Sequence, residues 1–318
     1  MNYVVVDFEW NQSMIKGASE SRMPFEIIEI GAVKLDASLQ ICDSYSQFIK
    51  PGVYKKLHYK TKELTGISEE MLKTGISFAE AALDFLLWCG DNFMFVTWGN
   101  TDMTEFQRNL SYYRVLDLLP GPFHYINAQK IFRLFYSDIH TNSALDVAAA
   151  YFDISNLGDF HRALADARYT AAVFAAMDRQ KCLDNFTMDY YQYPQNKKEE
   201  IHLTYENYYK YISRGYATKE AAFENREVRS TRCYVCGCPA PKKIRWFVSK
   251  TKNYYCLALC LEHGWIRGKI KFKRMDDGRY IAVKTLRIVD EVTAQNIRQI
   301  KKDVLEKRRE KRHKGNEE

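Results

Sequence analysis

Two hydrophobic periods alternate along this chain, and where they change predicts its organisation. Residues 3–10 open on Val4-Val5-Val6 and run into Asp7-Phe8-Glu9. Three consecutive β-branched residues suit a pleated surface covered on both faces, so the pattern predicts a buried strand. Segments 26–35 and 41–49 predict two more strands, joined by a turn over 36–40 and closed by Pro51-Gly52. Between the first and second strands, 11–25 reads as a loop, with Gly17, Ser19, Ser21 and Pro24. Helical spacing appears at 60–64. It returns behind Ser77-Phe78-Ala79-Glu80, a capping box whose helix carries Leu83, Leu86 and Leu87 as its expected core face. A strand over 93–97, a helix over 104–113, a break at Pro120-Gly121-Pro122 and a strand over 123–127 follow. Helices are then expected over 128–135, 143–152 and 163–177. Strands first, then strands alternating with helices, predict an α/β domain over 1–182 built on a mixed sheet.

The remainder has a different character. Residues 183–230 are tyrosine-rich, through Tyr190, Tyr191, Tyr193, Tyr205, Tyr208, Tyr209 and Tyr211, with a solvated charge run at Lys197-Lys198-Glu199-Glu200. They read as a linker followed by a helix or two lying on the first domain, the tyrosines packing there or stacking on bases. Residues 231–285 hold short basic strands at 244–248 and 268–274, in which Lys and Arg alternate with Ile, Phe and Trp. Residues 286–318 read as a basic helix fraying into a tail.

Asp7 and Glu9 alter the meaning of the first strand. Side chains alternate along a strand, so both carboxylates point to one side and Phe8 to the other. Buried together they repel each other and lose hydration. A hard divalent cation with oxygen ligands, Mg²⁺ or Mn²⁺, relieves both costs; alternatively the acids simply end the strand at the surface. Metal-dependent phosphoryl chemistry needs further carboxylates and a base for water. Asp102 is placed in the turn after the 93–97 strand, ahead of the 104–113 helix. His161 precedes Asp166 by five positions in His161-Arg162-Ala163-Leu164-Ala165-Asp166. With His161 in the loop entering a helix, Asp166 falls in the first turns, facing the same cleft.

Asp-x-Glu, then Asp, then His-x4-Asp resembles the DEDDh 3′-to-5′ exonucleases of the ribonuclease-H-like fold. Glu26-Ile27-Ile28-Glu29-Ile30-Gly31-Ala32-Val33-Lys34-Leu35 is similar to that family's second strand, Leu64-Thr65-Gly66-Ile67 to its LTGI turn, and His161-Arg162-Ala163-Leu164 with Asp166-Ala167 to its third motif. The resemblance covers about 1–180, and within the family is to the KapD-like bacterial proteins and the histone-mRNA exonuclease branch. It implies hydrolysis of the terminal phosphodiester of nucleic acid, a single-stranded 3′ end of RNA ahead of DNA, to nucleoside 5′-monophosphates with two Mg²⁺ or Mn²⁺ ions. Asp7, Glu9 and Asp166 would hold one ion. Asp7 would bridge to the second, assisted by Asp102, and His161 would be the general base, imidazole titrating near pH ~6.5. Trp10 and Met14 would border the cleft, stacking on the last base or belonging to the core.

Cysteine spacing adds a second metal expectation. Cys233-Tyr234-Val235-Cys236-Gly237 is a Cys-x2-Cys-Gly knuckle, and Cys260-Leu261-Glu262-His263-Gly264 repeats its shape with an imidazole. Two knuckles make a tetrahedral Cys3His site suited to one structural Zn²⁺. The rival set substitutes Cys256 for His263, and Cys238 is a further candidate. The module resembles a zinc ribbon, expected to bind nucleic acid or dock a protein partner. Cys42, Cys89 and Cys182 are expected to be packing residues.

Charge separates in the same way. Residues 231–318 carry 23 Lys and Arg against 10 Asp and Glu, whereas 1–230 carry 24 against 30. An acidic metal site followed by a basic section suits a nucleic-acid enzyme with an added grip, the basic tail supplying salt-sensitive phosphate attraction. No basic leader is seen and no segment approaches the ~20 apolar residues of a membrane span, so a cytoplasmic protein with reduced thiols and no membrane partner is expected. The alternatives are a non-catalytic nucleic-acid adapter, which loss of one metal acid would favour, and a zinc-dependent scaffold that docks a protein. All four acids are present.

Overall fold

The computed structural model of the chain describes residues 1–15, 17, 19, 20, 22–138 and 141–314, the side chains of 308 and 310–314 excepted. Ser21 and residues 315–318, parts of the expected loop and tail, lie outside the described residues. Two units divide the chain, 1–192 and 193–318.

The first unit runs β1 (Asn2–Asn11), β2 (Glu26–Leu35), β3 (Ile41–Phe48), α1 (Tyr59–Thr65), α2 (Glu69–Lys73), α3 (Phe78–Cys89), β4 (Phe93–Thr97), α4 (Thr101–Tyr112), β5 (His124–Asn127), α5 (Ala128–Phe135), α6 (Leu145–Tyr151), α7 (Ala163–Ala176), α8 (Arg179–Asp184) and β6 (Thr187–Met188). Its mixed sheet has the order β3-β2-β1-β4-β5-β6. The first three strands are antiparallel, β1, β4 and β5 are parallel, and β6 returns antiparallel to β5. Alternation in β1 divides the core. Val4, Val6 and Phe8 pack with Phe85, Phe106 and Leu110 from α3 and α4. Tyr3 and Val5 pack on the other face with Ile131, Ala148, Val173 and Phe174 from α5, α6 and α7. Asp7 and Glu9, by parity, share the α7 face.

Three expectations need correction in this unit. The α3 capping box forms, but the buried face is Phe78, Ala81, Ala82, Phe85 and Cys89, while Leu87 is 70% exposed and Leu83 43%. The small alanines let the backbone approach the aromatic core, which leaves Leu83 and Leu87 outside, while Leu86 packs half-buried against that core. The α4 helix begins at Thr101, so Asp102 sits in its first turn rather than in a turn ahead of it. Cys42 is exposed, whereas Cys89 and Cys182 are buried.

The second unit holds β7 (Ile201–Thr204), β8 (Tyr209–Ile212), α9 (Lys219–Glu224), α10 (Arg226–Arg229), β9 (Lys242–Val248), β10 (Tyr254–Cys260), β11 (Gly264–Arg274), β12 (Tyr280–Val289) and α11 (Glu291–Lys314). Six antiparallel strands form one sheet, β7-β8-β12-β11-β10-β9. The 183–230 stretch holds two short helices, α9 and α10, but strands as well: β6 belongs to the first sheet, and β7 and β8 are strands of the second. Tyr211 is buried in β8 opposite Lys284 of β12. The β module likewise reaches beyond 231–285, because β12 continues to Val289 before α11 packs Ala294 and Ile297 onto Ile244 and Leu257.

Candidate active site

Sheet register places the acids. Directly opposed residues of an antiparallel pair share a face. Asp7 is opposite Gly31, and Glu9 opposite Glu29. A Cβ on Gly31 would lie 2.0 Å from the Leu164 amide nitrogen and 2.1 Å from the Ala163 carbonyl carbon. The missing side chain is thus the space into which the start of α7 settles. That contact brings Asp166, in the first turn of α7, beside Asp7 and Glu9. One carboxylate oxygen from each of the three lies within 4.8 Å of the other two.

Asp102 enters from the end of β4. It is buried in the first turn of α4 and accepts a hydrogen bond from the Phe8 backbone N–H. It stands outside the 4.8 Å group, yet its charge acts on Asp7. His161 lies in the loop just before α7, exposed, at φ 65°, a left-handed conformation uncommon for a side-chain-bearing residue. Its backbone N–H donates to Asp166 Oδ2 at 3.2 Å. Trp10 follows a bulge in β1 and packs against Phe25 with ring centroids 5.9 Å apart. Met14 is 53% exposed in the β1–β2 loop.

Burial first, then mutual repulsion, holds these carboxyls protonated above their ordinary range. Asp7 is raised by burial and then by Asp102, Glu9 and Asp166. Glu9 is pushed up to about 8, Asp102 to about 7 and Asp166 to about 6, burial being the leading cause in each. Glu26, on the same β2 strand as Glu29, shows how a structural buried acid is treated. It accepts from the N–H groups of Gly52, Val53 and Tyr54 at 2.6–2.9 Å and from the Tyr113 hydroxyl at 2.8 Å. Asp166 Oδ1 is buried with no hydrogen-bond partner among the described residues. An all-oxygen, mutually repelling, under-donated group is what a hard cation fits.

Two positioning residues escaped the sequence analysis. Glu29 is buried and accepts from Arg162 Nη2 at 2.8 Å, Arg162 Nε at 3.3 Å and the Ala163 N–H at 3.3 Å. This clamp ties the entry of α7 to β2 beside Glu9, whose protonation Arg162 opposes. An acid inside the apolar Glu26–Leu35 strand was the signal for it.

The thiol-rich cluster lies in the second unit. Ligand atoms of Cys233, Cys236, Cys260 and His263 all lie within 4.8 Å of one another. Gly237 and Gly264 follow the two knuckles with φ 71° and 77°, which only glycine adopts freely. Cys260 is held down to about 6 by hydrogen bonds from the His263 backbone N–H and side chain. Cys256 does not join them. It is buried within β10, four residues from Cys260, and a strand advances ~13 Å over that distance. Burial pushes its thiol up to about 12. Cys238 is exposed and also stands outside the group.

The sequence pattern of the exonuclease family, designated RNase_T, matches residues 4–174. The chain belongs to the exonuclease family. The matched span holds all five residues of the acidic cleft. The DNA polymerase III PolC-type of Bacillus subtilis is 29% identical over 151 residues, 48% of this exonuclease chain and 10% of the polymerase. That of Thermotoga maritima is 35% identical over 162 residues, 47% and 10% respectively. The chain therefore spans about a tenth of the length of the curated relatives it matches. In fold, the exonuclease unit is similar to the nuclease domain of 3′hExo, a DEDDh family member bound to rAMP. That likeness has TM-score 0.51 at 22% identity, and covers 59% of this chain and 96% of the other.

Proposed function

We propose that the protein is a 3′-to-5′ exonuclease of the DEDDh type, of the KapD-like and histone-mRNA exonuclease branch, that releases nucleoside 5′-monophosphates from single-stranded 3′ ends. RNA is the preferred substrate, a reading supported by the rAMP of the similar 3′hExo domain. The likeness to PolC-type polymerases keeps DNA as the comparison substrate. The observation that carries the proposal is the meeting of Asp7, Glu9 and Asp166 oxygens within 4.8 Å, with Asp166 Oδ1 unpartnered among the described residues.

Asp7, Glu9 and Asp166 would hold one Mg²⁺ or Mn²⁺, and Asp7 with Asp102 a second. When bound, the pair supplies charge stabilisation to an in-line displacement and acidifies water. The chain's own residues do the rest. Gly31 and the Glu29–Arg162 clamp fix where Asp166 stands, and the Phe8 N–H orients Asp102. His161, exposed beside Asp166, takes the proton from the attacking water. Its left-handed backbone turns the loop so that its N–H is used on Asp166 while the imidazole stays free for solvent and substrate. The thiol cluster holds Zn²⁺ through Cys233, Cys236, Cys260 and His263, three sulfurs and a nitrogen being a zinc donor set.

End-labelled RNA and DNA incubated with Mg²⁺ are expected to shorten stepwise from the 3′ end, RNA faster. Asp7→Ala should lose metal binding and turnover together. His161→Ala should still bind Mg²⁺ and nucleic acid but lose ~10²–10⁴-fold in turnover. Near-normal rates for His161→Ala over pH 6–9 would remove His161 as the base, and products lacking a 5′-phosphate would remove the reaction as written.

A further inference from the structure

The second unit carries a cavity that the exonuclease chemistry does not use. Its volume is about 530 Å³, and Phe223, Arg226, Arg229, Lys242, Arg245 and Trp246 line it with Ser230. Four cations and two aromatic rings face one space, and no acid does. Arg226, Lys242 and Arg245 are exposed and make no ion pair among the described residues. Three other cations of this unit have acid partners: Arg214 with Glu200 at 2.7 Å, Arg279 with Asp277 at 2.8 Å and Arg298 with Glu291 at 2.6 Å. Unpaired cations held close together repel one another, and an anionic ligand is the relief.

A bulge in an edge strand builds this wall. β9 is the last strand of its sheet. Its pairing with β10 passes from Phe247–Tyr255 to Ile244–Leu257, so Arg245 and Trp246 together oppose the single Cys256. Neighbours on a regular strand would point to opposite faces, whereas a bulge re-aims one of them. Here it lets a guanidinium and an indole reach the same cavity, while Ile244 and Phe247 still pack under α11. The indole is fixed in place. Its Nε1–H donates to the Arg229 carbonyl at 3.1 Å. On its other side is Gly268, where a Cβ would come within 2.6 Å of Trp246 Cη2. Arg229 is held over the Phe223 ring, 5.9 Å from its centroid.

We infer that this groove binds a single-stranded nucleic-acid segment, with a base stacked on Trp246 and adjacent phosphates on Arg226, Lys242 and Arg245. A fixed indole beside several exposed cations is the combination that sequence-tolerant strand binding uses, aromatic stacking for the base and point charges for the backbone. An acidic peptide would use the charges and have little need of the indole, so the strand is favoured. The inference deepens the nuclease proposal by giving the second unit a strand-holding site of its own, and it is tested without turnover.

The test uses the full-length zinc-loaded chain carrying Asp7→Asn, so that the strand is not cut, and a fluorescein-labelled 20-nucleotide RNA read by anisotropy without added Mg²⁺. Trp246→Ala is expected to weaken binding by on the order of tenfold, and Trp246→Phe to restore most of it. Arg245→Ala should reduce the slope of log K against log salt by ~0.7, the loss of one phosphate contact on a single strand. A 5-iodouridine strand should photocrosslink to the 242–246 segment. Zinc content and circular dichroism of each variant report folding. Unchanged affinity and salt slope in folded variants, or crosslinks absent from 242–246, would overturn the groove. Sensitivity to Arg245→Ala with none to Trp246→Ala or Phe would overturn the strand in favour of an acidic ligand. Stepwise hydrolysis by the wild-type chain with an unresponsive groove would leave the nuclease reading intact, and a responsive groove without hydrolysis would leave only the groove.

Discussion

Two side chains that could not look more alike, Glu26 and Glu29, occupy one buried strand and do different work. Glu26 is saturated by three backbone N–H groups and a hydroxyl, and so fastens the 52–54 turn. Glu26→Gln places an amide NH₂ against those donors. It is expected to cost ~1–3 kcal/mol in denaturant unfolding while leaving kcat unchanged, because Glu26 faces no reacting group. Gly31 has the opposite profile. Adding one methyl forces apart β2 and the Ala163–Leu164 backbone, at 2.0 Å from the nearest atom. Gly31→Ala should displace Asp166 and lower kcat by ~100-fold or more. The thermal midpoint should fall as well, since overpacking costs ~1–3 kcal/mol. A Gly31→Ala enzyme with wild-type kcat would show that Asp166 is positioned by something other than this close approach.

At the level of elements, what could be read from the sequence depended on how local the signal was. The Val4–Glu9 strand and the Ser77–Glu80 cap declare themselves within a few residues, and both form as expected. The face of α3 does not. Leu83 and Leu87 are the more hydrophobic residues, but the core selects Ala81, Ala82 and Phe85 because a close helix approach needs small side chains beside large rings. β7 and β8 were missed for a different reason. β8 is made a strand by pairing with Val283–Leu286, about seventy residues on, and non-local pairing leaves little trace in 201–212 itself. The acids of the cleft were legible individually; that Glu29 and Arg162 clamp the entry to α7 was not, because it depends on the pairing of Glu9 with Glu29. The α3 face can be tested directly. Leu87→Ser should change unfolding free energy by less than ~0.5 kcal/mol, whereas Ala82→Leu should cost ~1–3 kcal/mol. The reverse order in a urea titration would return the core face to the leucines.

Across the whole molecule, charge is distributed against itself: residues 1–192 carry 17 Lys and Arg against 24 Asp and Glu, and 193–318 carry 30 against 16. The acidic excess matters most where it is buried. Glu9, Asp102 and Asp166 are raised to about 8, 7 and 6, and Asp7 is raised as well. In the unfolded chain the same groups titrate near pH ~4. Between those limits the folded protein binds more protons than the unfolded one, so stability is greatest below about pH 4 for these groups and is lost as pH rises through their folded values. A divalent cation in the cleft removes the reason for holding protons there. Its stabilising effect must therefore grow with pH. In protein dialysed free of Mg²⁺, the rise in thermal midpoint on adding saturating Mg²⁺ is expected to be larger at pH 8.5 than at pH 5.5, by a few degrees for each ~1 kcal/mol of linkage. Glu9→Gln, which removes one of the titrating groups, should narrow the difference between the two pH values. An equal shift at both, or a larger one in acid, would mean that Mg²⁺ does not compete with protons at these carboxylates, and the cation would have to be sought elsewhere.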